Sequence, residues 1–368
     1  SLTFLYLTSS FQKKCLFIAK MSFQKKLILW FKENRRLFPW RENTNPYSVW
    51  LSEIILQQTR AAQGLPYYKR FISAFPTIKD LARASENEIL SLWQGLGYYS
   101  RARNLHATAK QITEQYNGKF PKDFTTIKNF KGIGDYTASA ICSICFDQEQ
   151  AVVDGNVYRL LSRIYGIDQP IDSCGAHKLF KQKAQILMKG AHPGNFNQAM
   201  MEFGALQCVP KNPNCQDCIF GSNCVAFKQG KVSLLPLKSK KIKVKSRFLH
   251  YFVPIDALKN TLIEKRKGKG IWQNLYQFPM IETQKKQEYF DEVEIKSLLT
   301  KHKIVGDFEI TKWNLQPIFH KLTHQNLEIN FWIVKLSKNG NLGTAIGDIK
   351  NYPMPKILQK FRDKFFIN

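Results

Sequence analysis

Four cysteines fall close together in this chain: Cys208, Cys215, Cys218 and Cys224, separated by six, two and five residues. Thiolates are soft ligands that suit iron–sulfur clusters or zinc. Zinc ribbons bring two close cysteine pairs, and here only Cys215 and Cys218 form one, so the intervals favour a loop around a [4Fe–4S] cluster over zinc. A disulfide-stapled loop is the competing arrangement. A chain of 368 residues can bury a core without staples, and its cast is intracellular, which argues against that arrangement. Two carboxylates make the second group. Glu53 is the only charge in VWLSEIILQQT, and its neighbours Trp50, Ile54 and Leu56 predict a dry setting that raises its pKa and suits an acid near neutrality. The plain alternative is a surface glutamate on an amphipathic helix. Asp154, in VVDGNVYR, stands at the predicted start of a helix, as an N-cap or as an anion that the helix terminus keeps ionised. A protonated acid and an anion with pKa values pushed apart form the pair that breaks a glycosidic bond through a cation-like transition state.

These groups need a scaffold. From Met21 to about Cys224 the chain carries nearly continuous helix signal, with Ser22 and Thr77 as N-caps and Ser85–Glu88 as a capping box. In NFKGIGDYTA, Gly132 and Gly134 flank one apolar residue ahead of a helical run. This fits a helix–hairpin–helix turn, whose backbone N–H groups approach a phosphate without reading sequence; an ordinary glycine turn is the plain alternative. Residues 228–246 are basic, contain Pro236 and read as a linker. Beyond them, FLHYFVPI and LEINFWIVKL show strand-like alternation, and PKILQKFRDKFF closes the chain as an amphipathic helix. The expected fold is thus a mainly α region over 22–227, holding the 208–224 loop, and a smaller α+β domain over 247–368. Residues 1–21 are apolar without a basic leader or a clear cleavage site, so Met21 is taken as the true start and the preceding stretch as a non-native or disordered extension.

The formal charge of +27 and the pI near 9.7 point to a polyanionic partner, nucleic acid first. No apolar run is long enough to span a bilayer. Cys15, Cys142, Cys145 and Cys174 show no framework spacing, and Cys142 and Cys145 read as core residues of an apolar helix.

Residues 23–224 closely resemble the MutY adenine DNA glycosylases of the endonuclease III superfamily, through Pro39-Trp40-Arg41, SEIILQQT, FPTIKDLA, LWQGLGYYSRARNLH, the hairpin, VVDGNVYR, NQAMMEFGALQC and the four cysteines. The resemblance implies a six-helix module joined to an iron–sulfur module. It also implies that adenine paired with 8-oxoguanine is flipped from double-stranded DNA and its N-glycosidic bond hydrolysed. Glu53 matches the acid that protonates adenine N7, Asp154 the aspartate that stabilises the oxocarbenium sugar, and Asn156 its support. Arg41 and Glu202 match residues of the adenine pocket, Tyr98 the wedge beside 8-oxoguanine, and Gln58 a residue filling the vacated space. Bifunctional members carry a lysine two residues after the second hairpin glycine. Here that position is Tyr136, which cannot form a Schiff base, so a glycosylase without strong lyase activity is expected, with Tyr136 packing near Asp154 and Asn156.

The C-terminal part resembles, more weakly, the Nudix-like domain with which this family recognises 8-oxoguanine. Residues 270–279, GIWQNLYQFP, match its signature, but no glutamate-rich Nudix box follows, so nucleotide hydrolysis is not expected. The family's Phe-Ser-His loop is Leu322-Thr323-His324 here. It keeps one hydroxyl at Thr323 but loses the stacking ring, which puts the strength of 8-oxoguanine discrimination in question. The expected substrates are 8-oxoguanine·A and G·A mispairs. The expected protein is a monomer in a bacterial cytoplasm, at the nucleoid, with a replication sliding clamp as a further partner.

Overall fold

The computed structural model describes residues 21–239, 244–337 and 342–366; the expected N-terminal extension lies outside them, except for Met21. The chain divides into two compact units, Ser1–Ala82 with Ala107–Lys240, and Arg83–His106 with Lys241–Asn368. The expected boundaries followed the chain; in this grouping Arg83–His106 leaves the helical region and joins the C-terminal unit.

The helices in order are α1 (Phe23–Asn34), α2 (Pro46–Leu56), α3 (Ala61–Ala74), α4 (Ile78–Arg83), α5 (Glu86–Leu92), α6 (Ser100–Tyr116), α7 (Phe124–Lys128), α8 (Asp135–Phe146), α9 (Gly155–Tyr165), α10 (Ala176–Met188), α11 (Pro193–Leu206) and α12 (Val225–Lys228). Local chemistry starts several of them where the sequence places the caps. Ser22 accepts from the Lys25 N–H, Thr77 accepts from the Asp80 N–H, and Ser85 with Glu88 closes a reciprocal capping box. In the first unit α9 packs on α11, and α11 also meets α1 and α8. Their core gathers Leu27, Phe31, Val157, Leu161, Phe180, Phe196 and Phe203, and it reaches Leu235. Leu235 sits in the stretch read as a linker. Its carbonyl accepts from the Arg163 guanidinium, and the Leu237 carbonyl accepts from the Ile171 N–H, so 228–239 begins as a strap on the helices.

Among the described residues the second unit is built on a seven-stranded sheet. Its strands are β1 (Lys245–Ile255), β2 (Asn260–Thr261), β5 (Met280–Thr283), β6 (Phe308–Lys312), β7 (Ile318–Lys321), β8 (Gln325–Leu336) and β9 (Thr344–Ala345), while β3 (Glu264–Lys265) pairs separately with β4 (Tyr276–Gln277). Strands β1 and β8 lie parallel from Lys245↔Gln325 to Ile255↔Lys335, and the other pairs are antiparallel. Helix α13 (Glu292–Lys301) covers one face, where Phe252 and Trp332 pack with Leu298 and Leu299. Helix α14 (Lys356–Phe366) covers the other, with Phe361 stacked on Phe331. The alternation expected for β1 and β8 is therefore replaced by runs of six consecutive buried residues, as in strands covered on both faces. Among the described residues no helix is long and apolar enough to cross a membrane.

Candidate active site

Helix α2 delivers Glu53. Asn45 caps it, accepting from the Tyr47 and Ser48 N–H groups with Pro46 at the first position, and eight of its other residues are buried. The segment leading to Asp154 is equally pinned. The Val152 N–H donates to Asn197 Oδ1, and the Asn197 amide reaches Ser143 and the Gln150 carbonyl, so α11 and α8 together place the start of α9. Asp154 then caps α9. Its Oδ1 accepts from the Asn156 (2.9 Å) and Val157 (2.8 Å) N–H groups, and its Oδ2 from the Asn156 side-chain amide (2.8 Å). Arg159 holds that amide in turn, donating to Asn156 Oδ1 and to the Gly204 and Cys208 carbonyls.

Glu53, Asp154, Asn156, Tyr136, Arg41 and Glu202 line one cavity of about 480 Å³, within the range of ligand pockets. Burial pushes the Glu53 carboxyl up to about 7, helped by the Asp154 charge and opposed by a hydrogen bond from Tyr136 and by Arg41. Glu202 goes the other way. Burial again pushes upward, but Arg36 and Arg41 more than offset it and hold the carboxyl at about 2. Arg36 meets both carboxylate oxygens, each at 2.8 Å, and adds its backbone N–H at 2.9 Å, while Arg41 donates at 3.0 Å. Arg36 was missed by sequence reasoning because, beside Arg35, it reads as part of a basic surface run.

One expectation needs correction. Glu53 was expected to be raised and Asp154 to be kept ionised, yet burial raises Asp154 too, against its backbone and amide donors and Arg159. Tyr136 lines the cavity beside Asp154 and Asn156, as expected. Its hydroxyl hydrogen-bonds Glu53 and lies 3.2 Å from Met201 Sδ, and Asp154 acts on it through charge. Gln58 lies exposed after α2 at φ +55° and does not line the cavity. Tyr98, Thr323 and His324 belong to the second unit.

The hairpin forms between α7 and α8. Gly132 takes φ +81°, which favours glycine, and a side chain at Gly134 would meet nothing, leaving the α8 N-terminus open to an anion. Asp135, the first α8 residue, is ion-paired with Lys181 (2.6 Å) and Lys128 (3.4 Å). Cys142 and Cys145 are unpaired thiols on α8, buried and half-buried.

The four clustered cysteines are also free thiols, and all four line a single second cavity. Arg163 places Nη1 3.5 Å from Cys208 Sγ while binding the Val209 and Pro210 carbonyls. A Cβ at Gly221 would lie 2.9 Å from the Cys215 carbonyl oxygen, so the turn between the third and fourth cysteines needs glycine.

The family pattern of HhH-GPD superfamily base excision DNA repair proteins matches residues 51–185, and a NUDIX domain pattern matches residues 250–364. The adenine DNA glycosylase of Buchnera aphidicola subsp. Schizaphis graminum is 38% identical over 358 residues, covering 93% of this chain and 98% of the relative. That of Buchnera aphidicola subsp. Acyrthosiphon pisum is 33% identical over 362 residues, covering 95% and 100%. The Homo sapiens adenine DNA glycosylase is 41% identical over 214 residues, 56% of this chain and 39% of the relative. Among solved structures, a thermostable thymine-DNA glycosylase superposes with a TM-score of 0.52 at 26% identity, covering 60% of this chain and 99% of that one. A trapped endonuclease III–DNA covalent intermediate superposes at 0.50 and 20% identity, covering 56% and 94%, a likeness of fold.

Proposed function

The chain belongs to the adenine DNA glycosylases of the HhH-GPD superfamily, base excision repair enzymes that act on mismatched bases, and from that premise we propose that it hydrolyses adenine from 8-oxoguanine·A and G·A mispairs without strong lyase activity. The observation that carries this reading is a single cavity faced by an acid near neutrality and a capped carboxylate. An extruded adenine accepts the Glu53 proton at N7, and the C1′–N9 bond breaks with its electron pair passing to the base. Asp154, whose three N–H donors favour its anion, stabilises the sugar cation. Water adds to C1′, and its proton restores Glu53. Glu202 with Arg36 and Arg41 forms the polar wall of the pocket. Tyr136 offers no amine to the sugar, so no Schiff base forms.

Cys208, Cys215, Cys218 and Cys224 would hold a [4Fe–4S] cluster; the convergence of the four thiols on one small pocket, the Arg163 contact and the glycine-dependent turn support that assignment. When bound, the cluster supplies a four-thiolate cross-link of the 208–224 loop rather than reaction chemistry. The Leu322–His324 turn of the Nudix-like domain reads the opposite base, with the Thr323 hydroxyl as its polar contact.

Adenine release from an 8-oxoguanine·A duplex by wild type and by Glu53→Gln tests the chemistry. The variant should lose at least about a hundredfold, and equal rates would remove the catalytic assignment. Borohydride should trap little protein on DNA, since robust trapping means an amine nucleophile. A brown protein absorbing near about 400 nm is expected from thiolate-bound iron; a colourless, zinc-loaded preparation would overturn the cluster assignment.

A further inference from the structure

In the second unit the signature residues 270–279 form a stiff knob. Gly270, Trp272 and Asn274 all take positive φ (+128°, +60° and +66°), a backbone that only a closed turn sustains. Two backbone bonds between Arg266 and Asn274–Leu275 close it, and the Arg266 guanidinium ties the Ile271 carbonyl and Gln277 across its base. The tip, Gln273–Asn274, is gripped from two helices. The Asn274 amide donates to Glu86 Oε1 at 2.8 Å, and Arg103 donates to the Gln273 carbonyl at 2.7 Å and to its side-chain oxygen at 3.3 Å. Lys265 adds a longer contact to Glu86 at 3.5 Å.

The chain between Glu86 and Arg103 carries Tyr98. It is raised on a turn with Gly95, Gly97 and Tyr98 all at positive φ (+92°, +72° and +47°), and the residue is 46% exposed. Below it the buried Arg101 donates to the Leu96 and Gly97 carbonyls, with its guanidinium 5.1 Å from the Trp93 ring and 5.7 Å from that of Tyr98. The Tyr98 hydroxyl hydrogen-bonds the Thr323 hydroxyl, on the exposed turn between β7 and β8. These two residues lie 225 apart in the chain, so their bond exists only while the two segments are held in register.

We infer that Glu86 and Arg103 are positioning residues that grip the Gln273–Asn274 knob and so hold Tyr98 against Thr323 as a preset reader of the base opposite the extruded adenine. The inference rests on the 8-oxoguanine reading above and deepens it. A signature turn that lacks the acidic groups for hydrolysis serves here as a docking element. Each grip uses a side-chain charge on one segment and an amide or carbonyl on the other, so removing either partner strands the second.

Single-turnover adenine release by the full chain on 8-oxoguanine·A and G·A duplexes tests this. Glu86→Ala and Asn274→Ala should each lower the ratio of the two rates by about tenfold, mostly through the 8-oxoguanine·A rate. The double variant should lose no more than either single one, because both break one contact. Glu86→Gln, which keeps an acceptor for the Asn274 amide, should restore the wild-type ratio, a rescue that general destabilisation cannot give. Thr323→Ala separates the two layers of the argument. If it lowers the ratio while Glu86→Ala and Asn274→Ala keep it within about twofold of wild type, the grip is rejected and the reading of the loop stands. If Thr323→Ala leaves the ratio unchanged, or the wild type shows no preference, the reading fails and the positioning role falls with it.

Discussion

Within one cavity two glutamates have opposite characters, and the difference is a matter of partners. Glu53 and Glu202 are both taken from water, but Glu202 meets two guanidinium groups and stays near 2, whereas Glu53 meets a phenol and a nearby anion and rises to about 7. The pH dependence follows. In the proposed mechanism excision uses the Glu53 proton, so the rate should fall as pH rises through about 7, and a profile flat from about pH 6 to about 8.5 would contradict that role. Stability carries the same signature. The folded carboxyl holds its proton above the ordinary 4.5, so ionising it destabilises the fold increasingly from pH 4.5 to about 7. Glu53→Gln should therefore be more stable than wild type at pH 8, by up to about 3 kcal/mol, and no more stable near pH 4.5. Denaturant midpoints at the two pH values check both signs. Glu53 was legible as a site because its type clashes with its neighbours over one helical turn. Arg36 was not, because its partner Glu202 is 166 residues away and nothing local marks it.

Among the elements, the contact between α9 and α11 decides where Asp154 points. Gly204 on α11 lies so close to the first turn of α9 that an added Cβ would stand 2.7 Å from Asn156 Cβ and 2.9 Å from its carbonyl oxygen. Backbone cannot yield as a flexible side chain can. Gly204→Ala should cost about 1–3 kcal/mol of stability and slow adenine release, since pushing Asn156 outward breaks its amide bond to Asp154. A melting curve and a single-turnover rate test the two halves, and wild-type values for both would show that the helices can part without disturbing the site. Helix starts were the most legible elements. The Ser85–Glu88 box and the Asp154 cap involve residues two or three apart, so their hydrogen bonds form wherever those helices go. Strand faces were less legible, because whether β1 and β8 alternate depends on α13 and α14 covering both sides of the sheet.

Across the whole chain, 55 Lys and Arg against 28 Asp and Glu leave a net charge of +27. Binding to duplex DNA should weaken steeply with salt, each neutralised phosphate adding about 0.9 to the slope of log affinity against log salt. A titration between 50 and 200 mM salt, roughly the range over which such contacts are screened, should give a slope of at least about −4 on undamaged duplex. A near-zero slope would leave the charge without its polyanionic partner. The amino-acid order by itself determined the chemical groups: the four thiols, the lone acid in an apolar helix, the capped aspartate and the glycine hairpin are short-range patterns whose physics is complete within a few residues. Tertiary structure alone decided how they meet. It closed two arginines on Glu202, turned Tyr136 toward Met201 and Glu53, raised Asp154 along with Glu53, and grouped Arg83–His106 with the C-terminal sheet. Each of those outcomes depends on burial and on partners far away in the chain, and solvent exclusion at a residue exists only once the surrounding elements have packed.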